Sequence, residues 1–219
     1  MKIVALSDGH GNLPKLNISG DILLIAGDIC PAHSHNASFQ EPWLLDNFIP
    51  WLDKFDFKHK LFCFGNHDFC GENPYFIKHK LIPKLPTNIH LLNDSGVNIE
   101  GLNIYGSPWC SIFYDWAFMI EESSLDEKFA KIPDNTDILV THTPPYGLND
   151  VVILREHEGS IGCKPLRERV NALPNLRLSV SGHIHTGHGI TKIGNTTFAN
   201  VSLLNEQYKM VYKPTEFEL

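Results

Sequence analysis

The chain has 219 residues, 42% of them hydrophobic and 20% charged, with a formal net charge of −7. These values suit one folded domain, 1–219, with a substantial buried core. They disfavour a basic surface that tracks long nucleic acid, and no run approaches the roughly 18 apolar residues of a membrane span. Five cysteines, an odd number with no CxxC pair, argue against a disulfide framework or a zinc ribbon and read as reduced thiols. Asp8 and His10 interrupt the first apolar run too early for a signal peptide, so a cytoplasmic protein is expected.

Residues 2–7 and 21–26 read as buried strands, followed by a helical pattern over 41–58. There Leu44, Phe48, Trp51, Leu52 and Phe55 fall on one side and Pro50 is expected to kink the axis. Residues 60–64 form a third strand, and a helix through Tyr75, Ile77, Leu81 and Ile82 starts at Pro74. The runs Ile89 to Leu92, Val97 to Ile99 and Leu102 to Tyr105, broken by Gly96 and Gly101, predict an antiparallel meander. Helices from Leu125 to Lys131 and from Pro165 to Leu173 precede strands at 137–141 and 177–181. Turns at Gly189 and Gly194-Asn195 predict a hairpin tail, with a last strand around Tyr208 to Tyr212. The pattern is α/β with mixed sheets, in which ligands sit beyond the carboxyl ends of strands.

Five polar blocks occupy that position. They are Ser7-Asp8-Gly9-His10, Ala26-Gly27-Asp28, Phe64-Gly65-Asn66-His67-Asp68, Val140-Thr141-His142 and Ser181-Gly182-His183-Ile184-His185. Asp8 with His10, and His183 with His185, are two apart, a spacing that aims both side chains of an extended pair at one point. The Asp28 carboxylate can bridge two ions, Asn66 offers an amide oxygen and His142 another imidazole. Mixed imidazole and oxygen ligation suits manganese, iron or zinc better than calcium or magnesium. Two divalent ions against two carboxylates leave a positive centre that attracts a phosphate ester despite the acidic chain. A hydroxide held between the ions would attack phosphorus, and His67, which ligation does not require, is placed to protonate the leaving oxygen.

The order D-x-H, G-D, G-N-H-D, T-H and G-H-x-H, over residues 8–185, resembles the calcineurin-like metallophosphoesterase superfamily. The resemblance implies a four-layer αββα sandwich of two mixed sheets flanked by helices. It implies one metal held by Asp8, His10, Asp28 and His185, a second held by Asp28, Asn66, His142 and His183, and Asn66 and His67 at the substrate phosphate. Tyr105-Gly106-Ser107-Pro108-Trp109, Trp116-Ala117-Phe118 and Thr141-His142-Thr143-Pro144-Pro145-Tyr146-Gly147 are similar to the metallophosphoesterase-domain-containing branch, which resembles class III cyclic nucleotide phosphodiesterases. Some animal members of that branch lose the first histidine of G-H-x-H. This chain keeps His183, so a complete two-metal site is expected.

One departure shapes the substrate expectation. Gly27-Asp28 runs into Ile29-Cys30-Pro31-Ala32-His33, without the arginine that follows in many protein phosphatases of the superfamily. Bidentate phosphate recognition is missing at that point. The expected activity is hydrolysis of a small phosphodiester, cyclic nucleotides among the candidates. A phosphomonoesterase and a non-catalytic scaffold are the alternatives. Asp68 either orients His67 or caps the next segment. His33, His35, His157, His188 and Tyr146 are candidate pocket residues, whereas His59, His79 and His90 read as surface positions; Trp109, Trp116 and Phe118 read as core, with a base-stacking Trp109 as the alternative.

Overall fold

The computed structural model describes residues 1–154 and 157–219, and the side chains of 153–158 lie outside that description. β1 (Lys2–Leu6) and β2 (Ser19–Ala26) run parallel. Asn36 then caps a helical stretch, α1 (Ala37–Trp43), a wide π turn at Leu44–Phe48, and α2 (Ile49–Asp53). The irregularity lies just ahead of Pro50, whose ring and missing N–H disrupt a regular helical ladder. The stretch ends before the expected residue 58, because β3 (Asp56–Cys63) begins at Asp56 and pairs in parallel with β2 from Ser19 onward.

A short helical crossover beginning at α3 (Pro74–Phe76) leads to β4 (Ile89–Leu91). That connection corrects the predicted meander: β4 lies parallel to β3, as a helical crossover dictates, and is no hairpin partner of the strands that follow. The remainder of the meander holds, because β5 (Ser95–Ile99) and β6 (Leu102–Ser107) pair antiparallel. Two short strands, β7 (Cys110–Ser111) and β8 (Met119–Ile120), precede α4 (Glu122–Phe129) and β9 (Ile138–Thr141). An unforeseen hairpin, β10 (Val151–Leu154) with β11 (His157–Ser160), leads into α5 (Lys164–Asn171) and β12 (Leu178–Ser181). β13 (Gly189–Ile193) and β14 (Thr196–Asn200) form the predicted hairpin, with Gly194 at φ 58° in its turn.

The last strand is β15 (Thr215–Glu218), antiparallel to β1. The expected strand at 208–212 is instead a loop that turns at Tyr208, where φ is 55°, and hangs from the Leu203 carbonyl by the Val211 and Tyr212 amides. Its alternating aromatic pattern reflects Tyr208 facing the site described below and Tyr212 stacking on His188.

The sheets are ordered β15-β1-β2-β3-β4 and β13-β14-β12-β9-β6-β5. Period-two burial divides the core into three layers of side chains. Ile3, Ala5, Ile22, Leu24 and Ala26 meet Ile104, Ile138, Val140, Leu178 and Val180 between the sheets. Val4, Leu6, Leu23, Ile25 and Phe62 face Leu44, Phe48, Leu52 and Phe76 of the first helical layer. Tyr105, Leu139 and Phe198 face Leu125, Phe129, Leu166 and Val170 of the second. Both faces of the central strands are covered, which is why they read as unbroken apolar runs. The result is the four-layer sandwich. No helix among the described residues is long and apolar enough to cross a membrane.

Candidate metal centre

Each polar block begins where a parallel strand ends: β1, β2, β3, β9 and β12. The backbone there is turned, not extended. Asp8, His10, Asp28 and His183 have φ of 55°, 44°, 50° and 67°. Left-handed backbone outside glycine costs on the order of 1–3 kcal/mol per residue and collects at functional sites. The i, i+2 pairs therefore converge through strand-end turns, which differs from the extended geometry expected from spacing. Bonds from Asp8 N to Gly27 O (3.1 Å), His10 N to Asp28 O (2.8 Å) and Gly11 N to Ile29 O (2.9 Å) hold the first two turns side by side.

The seven candidate ligands come together. Asp28 Oδ2 stands 3.5 Å from His10 Nε2 and 3.3 Å from His142 Nε2, between the two halves of the cluster. His185 Nε2 lies 3.5 Å from Asp8 Oδ1 and 3.4 Å from His10 Nε2. Asn66 Oδ1 is 2.8 Å from His142 Nε2, and the His142 and His183 ring centroids are 5.0 Å apart. Asp8 is fixed by the Ser202 hydroxyl (2.6 Å) and the His183 amide (3.1 Å). The buried Cys110 sulfur approaches His142 and His183.

The donor set fits metal ions. His142 Nδ1 donates to Ala26 O at 2.8 Å and His185 Nδ1 donates to Asn205 O at 3.0 Å, which aims each Nε2 inward. In its neutral form the bare His142 Nε2 faces the Asn66 carbonyl oxygen, two acceptors that a shared cation reconciles. His10 Nδ1 and Asn66 Nδ2 are buried without partners.

Electrostatics separate the imidazoles into two kinds. Burial alone would lower His142 and His185, but Asp28 and Asp8 outweigh it and raise both to about 9. Burial wins at His10, lowered to about 4, and at His183, lowered to about 3 with His142 adding to the effect. Burial would likewise raise Asp8 and Asp28. The adjoining histidines, His185 for Asp8 and His142 for Asp28, hold both well below the usual carboxylate range.

Gly65 makes this approach of β2 and β3 ends workable. A Cβ there would overlap the Asp28 carboxylate and amide and crowd the His142 ring. Gly65→Ala is expected to weaken metal binding by more than about 10-fold. Metal analysis after dialysis checks this, and normal metal content would contradict it.

Comparison with known proteins agrees with this geometry. The Calcineurin-like phosphoesterase family profile matches residues 1–187. The chain belongs to that family. Metallophosphoesterase domain-containing protein 1 of Homo sapiens and that of Mus musculus are each 33% identical over 239 residues, covering 100% of this chain and 71% of the relative. TT1561 of Thermus thermophilus shares the fold, with TM-score 0.57 at 11% identity over 91% of this chain and 88% of that one. A calcineurin-like phosphoesterase is a metal-dependent phosphoester hydrolase with a dimetal centre, and the His and Asp groups here are its candidate ligands.

Around the centre of this calcineurin-like phosphoesterase lies a cavity of about 470 Å³. His10, Asp28, Asn66, His67, His183 and His185 form its floor, and Ile112, Phe113, Trp116, Val152, Ile161 and Tyr208 form its walls. Trp116 is thus a cavity residue, whereas Trp109 is bound to Asp94 through Nε1 (2.7 Å) and packs on Phe118. Asp68 does not orient His67. Its carboxylate accepts from the amides of Ile29 (3.0 Å), Cys30 (2.7 Å) and Gly65 (2.8 Å), tying the Asp28 turn to the Asn66 turn. Burial and the Asp28 charge raise Asp68 to about 6.

Other candidates lie outside the cavity lining. Tyr146 is exposed near Lys164, His33 packs on Phe39, and His188 stacks on Tyr212 while donating to Ser202 O. The His157 side chain lies outside the described residues. His35 does not line the cavity but touches His67, a contact that its sequence position beyond Gly27-Asp28 did not reveal.

Proposed function

We propose that the protein hydrolyses small phosphodiesters, cyclic nucleotides among them, with Asp8, His10, Asp28, Asn66, His142, His183 and His185 holding two ions and His67 acting as general acid. Mn²⁺ or iron suits the mixed donor set, with Zn²⁺ the alternative. When bound, the ions supply the charge that activates water as nucleophile and steadies the phosphoryl group. Asp28 serves both halves of the cluster with one oxygen, while its Oδ1 accepts the His67 amide at 2.8 Å and sets that residue beside the substrate space. Asn66 and His67 line the cavity and would contact the phosphate. His67 donates a proton to the leaving oxygen as the P–O bond breaks, so the departing group leaves as a neutral alcohol.

The observation that carries the diester preference is the lining. Among the described cavity residues there is no Lys or Arg, and Glu206 adds a carboxylate. A monoester dianion would bring a second charge with no lysine or arginine to meet it. A diester monoanion needs less, and its organic substituent can lie on the apolar walls. The manganese-loaded protein is expected to favour an aryl phosphodiester over the aryl monoester by at least about 10-fold in kcat/KM. The reverse preference would establish the phosphomonoesterase reading. Bound metal without turnover across 2′,3′- and 3′,5′-cyclic nucleotides, aryl diesters and monoesters would establish the scaffold reading.

A further inference from the structure

The side chain that meets His67 is another imidazole. His35 Nε2 lies 2.8 Å from His67 Nδ1, with the ring centroids 4.8 Å apart. His35 immediately precedes Asn36, whose side chain caps α1 by accepting from Ser38 N at 2.8 Å. Gln40, fully buried on the same helix, holds the two segments together. Its Nε2 donates to Ser34 O (2.8 Å) and His67 O (2.7 Å), and its Oε1 accepts from Cys70 N (3.0 Å). The His35 ring stacks on Phe69 at 5.0 Å and 22°, and Trp116 closes against both imidazoles, 6.0 Å from His35 and 4.6 Å from His67. A side chain with its outer side in solvent is therefore fixed in plane and position by a helix cap, a buried amide and two aromatic rings.

Such a contact has a chemical consequence. A neutral imidazole with its proton on Nδ1 presents a bare Nε2, which can accept only from a protonated His67 Nδ1. Burial and the neighbouring His67 charge lower His35, which favours that neutral form. The adjacent carboxylate, Asp68, is occupied by three backbone amides and so leaves this task to His35.

We propose that His35 is a positioning residue for His67: it accepts the Nδ1 hydrogen, fixes the ring plane and leaves the Nε2 proton for the leaving group. In the step itself the Nε2 proton passes to the leaving oxygen as the P–O bond breaks. The Nδ1 proton stays on His67, still bonded to His35, and water later restores the lost proton. A neutral partner with a single bare nitrogen fixes the ring through one hydrogen bond, and that geometry alone is what the contact supplies. This inference rests on the reading of His67 as general acid.

A series of methyl aryl phosphodiesters, with leaving phenols from p-nitrophenol to unsubstituted phenol, separates the two claims. His35→Ala is expected to lower kcat about 10-fold for the phenyl ester and less than about 2-fold for the p-nitrophenyl ester, because a good leaving group needs little acid assistance. KM and bound metal stay at wild-type values, and His35→Gln, whose amide oxygen can accept from Nδ1, restores most of the phenyl ester rate. An equal loss across the series, a loss of metal, or a glutamine variant no better than alanine would overturn the positioning role. His67→Ala is run alongside. If it shows no steeper dependence on the leaving group than the wild type, the acid reading itself fails and the inference with it. If only His67→Ala shows the dependence, the failure belongs to His35 alone.

Discussion

Asp28→Ala is expected to leave the protein without tightly bound metal and to lower phosphodiester turnover by about 10³-fold or more. One oxygen of this carboxylate stands between His10 and His142, so its removal takes a ligand and a negative charge from both halves of the cluster at once. The same group holds His142 at about 9 and accepts the amide of His67. Asp28→Asn separates charge from shape. It keeps an oxygen for the His67 amide but not the anionic bridge, and it is expected to lose metal nearly as completely as alanine. Metal analysis and kinetics on the same preparations decide the matter; a fully metallated, active Asp28→Ala protein would refute the bridging role.

Metal uptake is expected to depend steeply on pH, and the sign follows from the two kinds of imidazole. His142 and His185, raised to about 9, each carry a proton at neutral pH that an ion must displace. His10 and His183, lowered to about 4 and about 3, are already neutral there and cost no proton. With one proton released per ion, affinity rises about 10-fold per pH unit, roughly 100-fold for each ion from pH 6 to pH 8, and levels off above pH 9. Calorimetry in buffers of different ionisation enthalpy counts the protons. Uptake without proton release would contradict the assignment of His142 and His185.

The same shifts govern stability of the metal-free fold. The raised pair stabilises it fully below the unfolded value of 6.5, and that contribution is lost as pH rises through about 9. The lowered pair works in the other sense. It costs nothing above 6.5 and destabilises progressively as pH falls toward 4 and then 3, where the unfolded chain takes up protons first. The metal-free protein is thus expected to melt highest near pH 6.5 and lower on either side, as a series of thermal melts would show. A melting temperature that keeps rising to pH 9 would contradict this.

The α/β class with mixed sheets was legible because its central strands are buried on both faces and so announce themselves as apolar runs, each stopped by a polar block, whereas the four-layer sandwich followed from the resemblance those blocks carry. The order of those blocks identified the candidate ligands, since strand ends in such sheets converge. Pairing direction was not legible at β4, where three apolar residues look the same in a hairpin as after a crossover. The C-terminal loop misled for a related reason: Tyr208 and Tyr212 alternate like a strand but serve His10 and His188 from a turn. The left-handed turns at Asp8, His10, Asp28 and His183 carry no signature in residue type beyond their glycine neighbours. The His35–His67 contact was hidden because the two residues are 32 positions apart and the contact depends on Gln40 and Phe69, not on a local motif.

The most direct test is a manganese titration of chelator-stripped protein, with bound ion and phosphodiester turnover followed together. Activity is expected to appear as the second equivalent binds and to be absent from the metal-free chain. Undiminished turnover without metal, or two ions bound with no hydrolysis, would contradict a two-metal phosphodiesterase built from these seven residues.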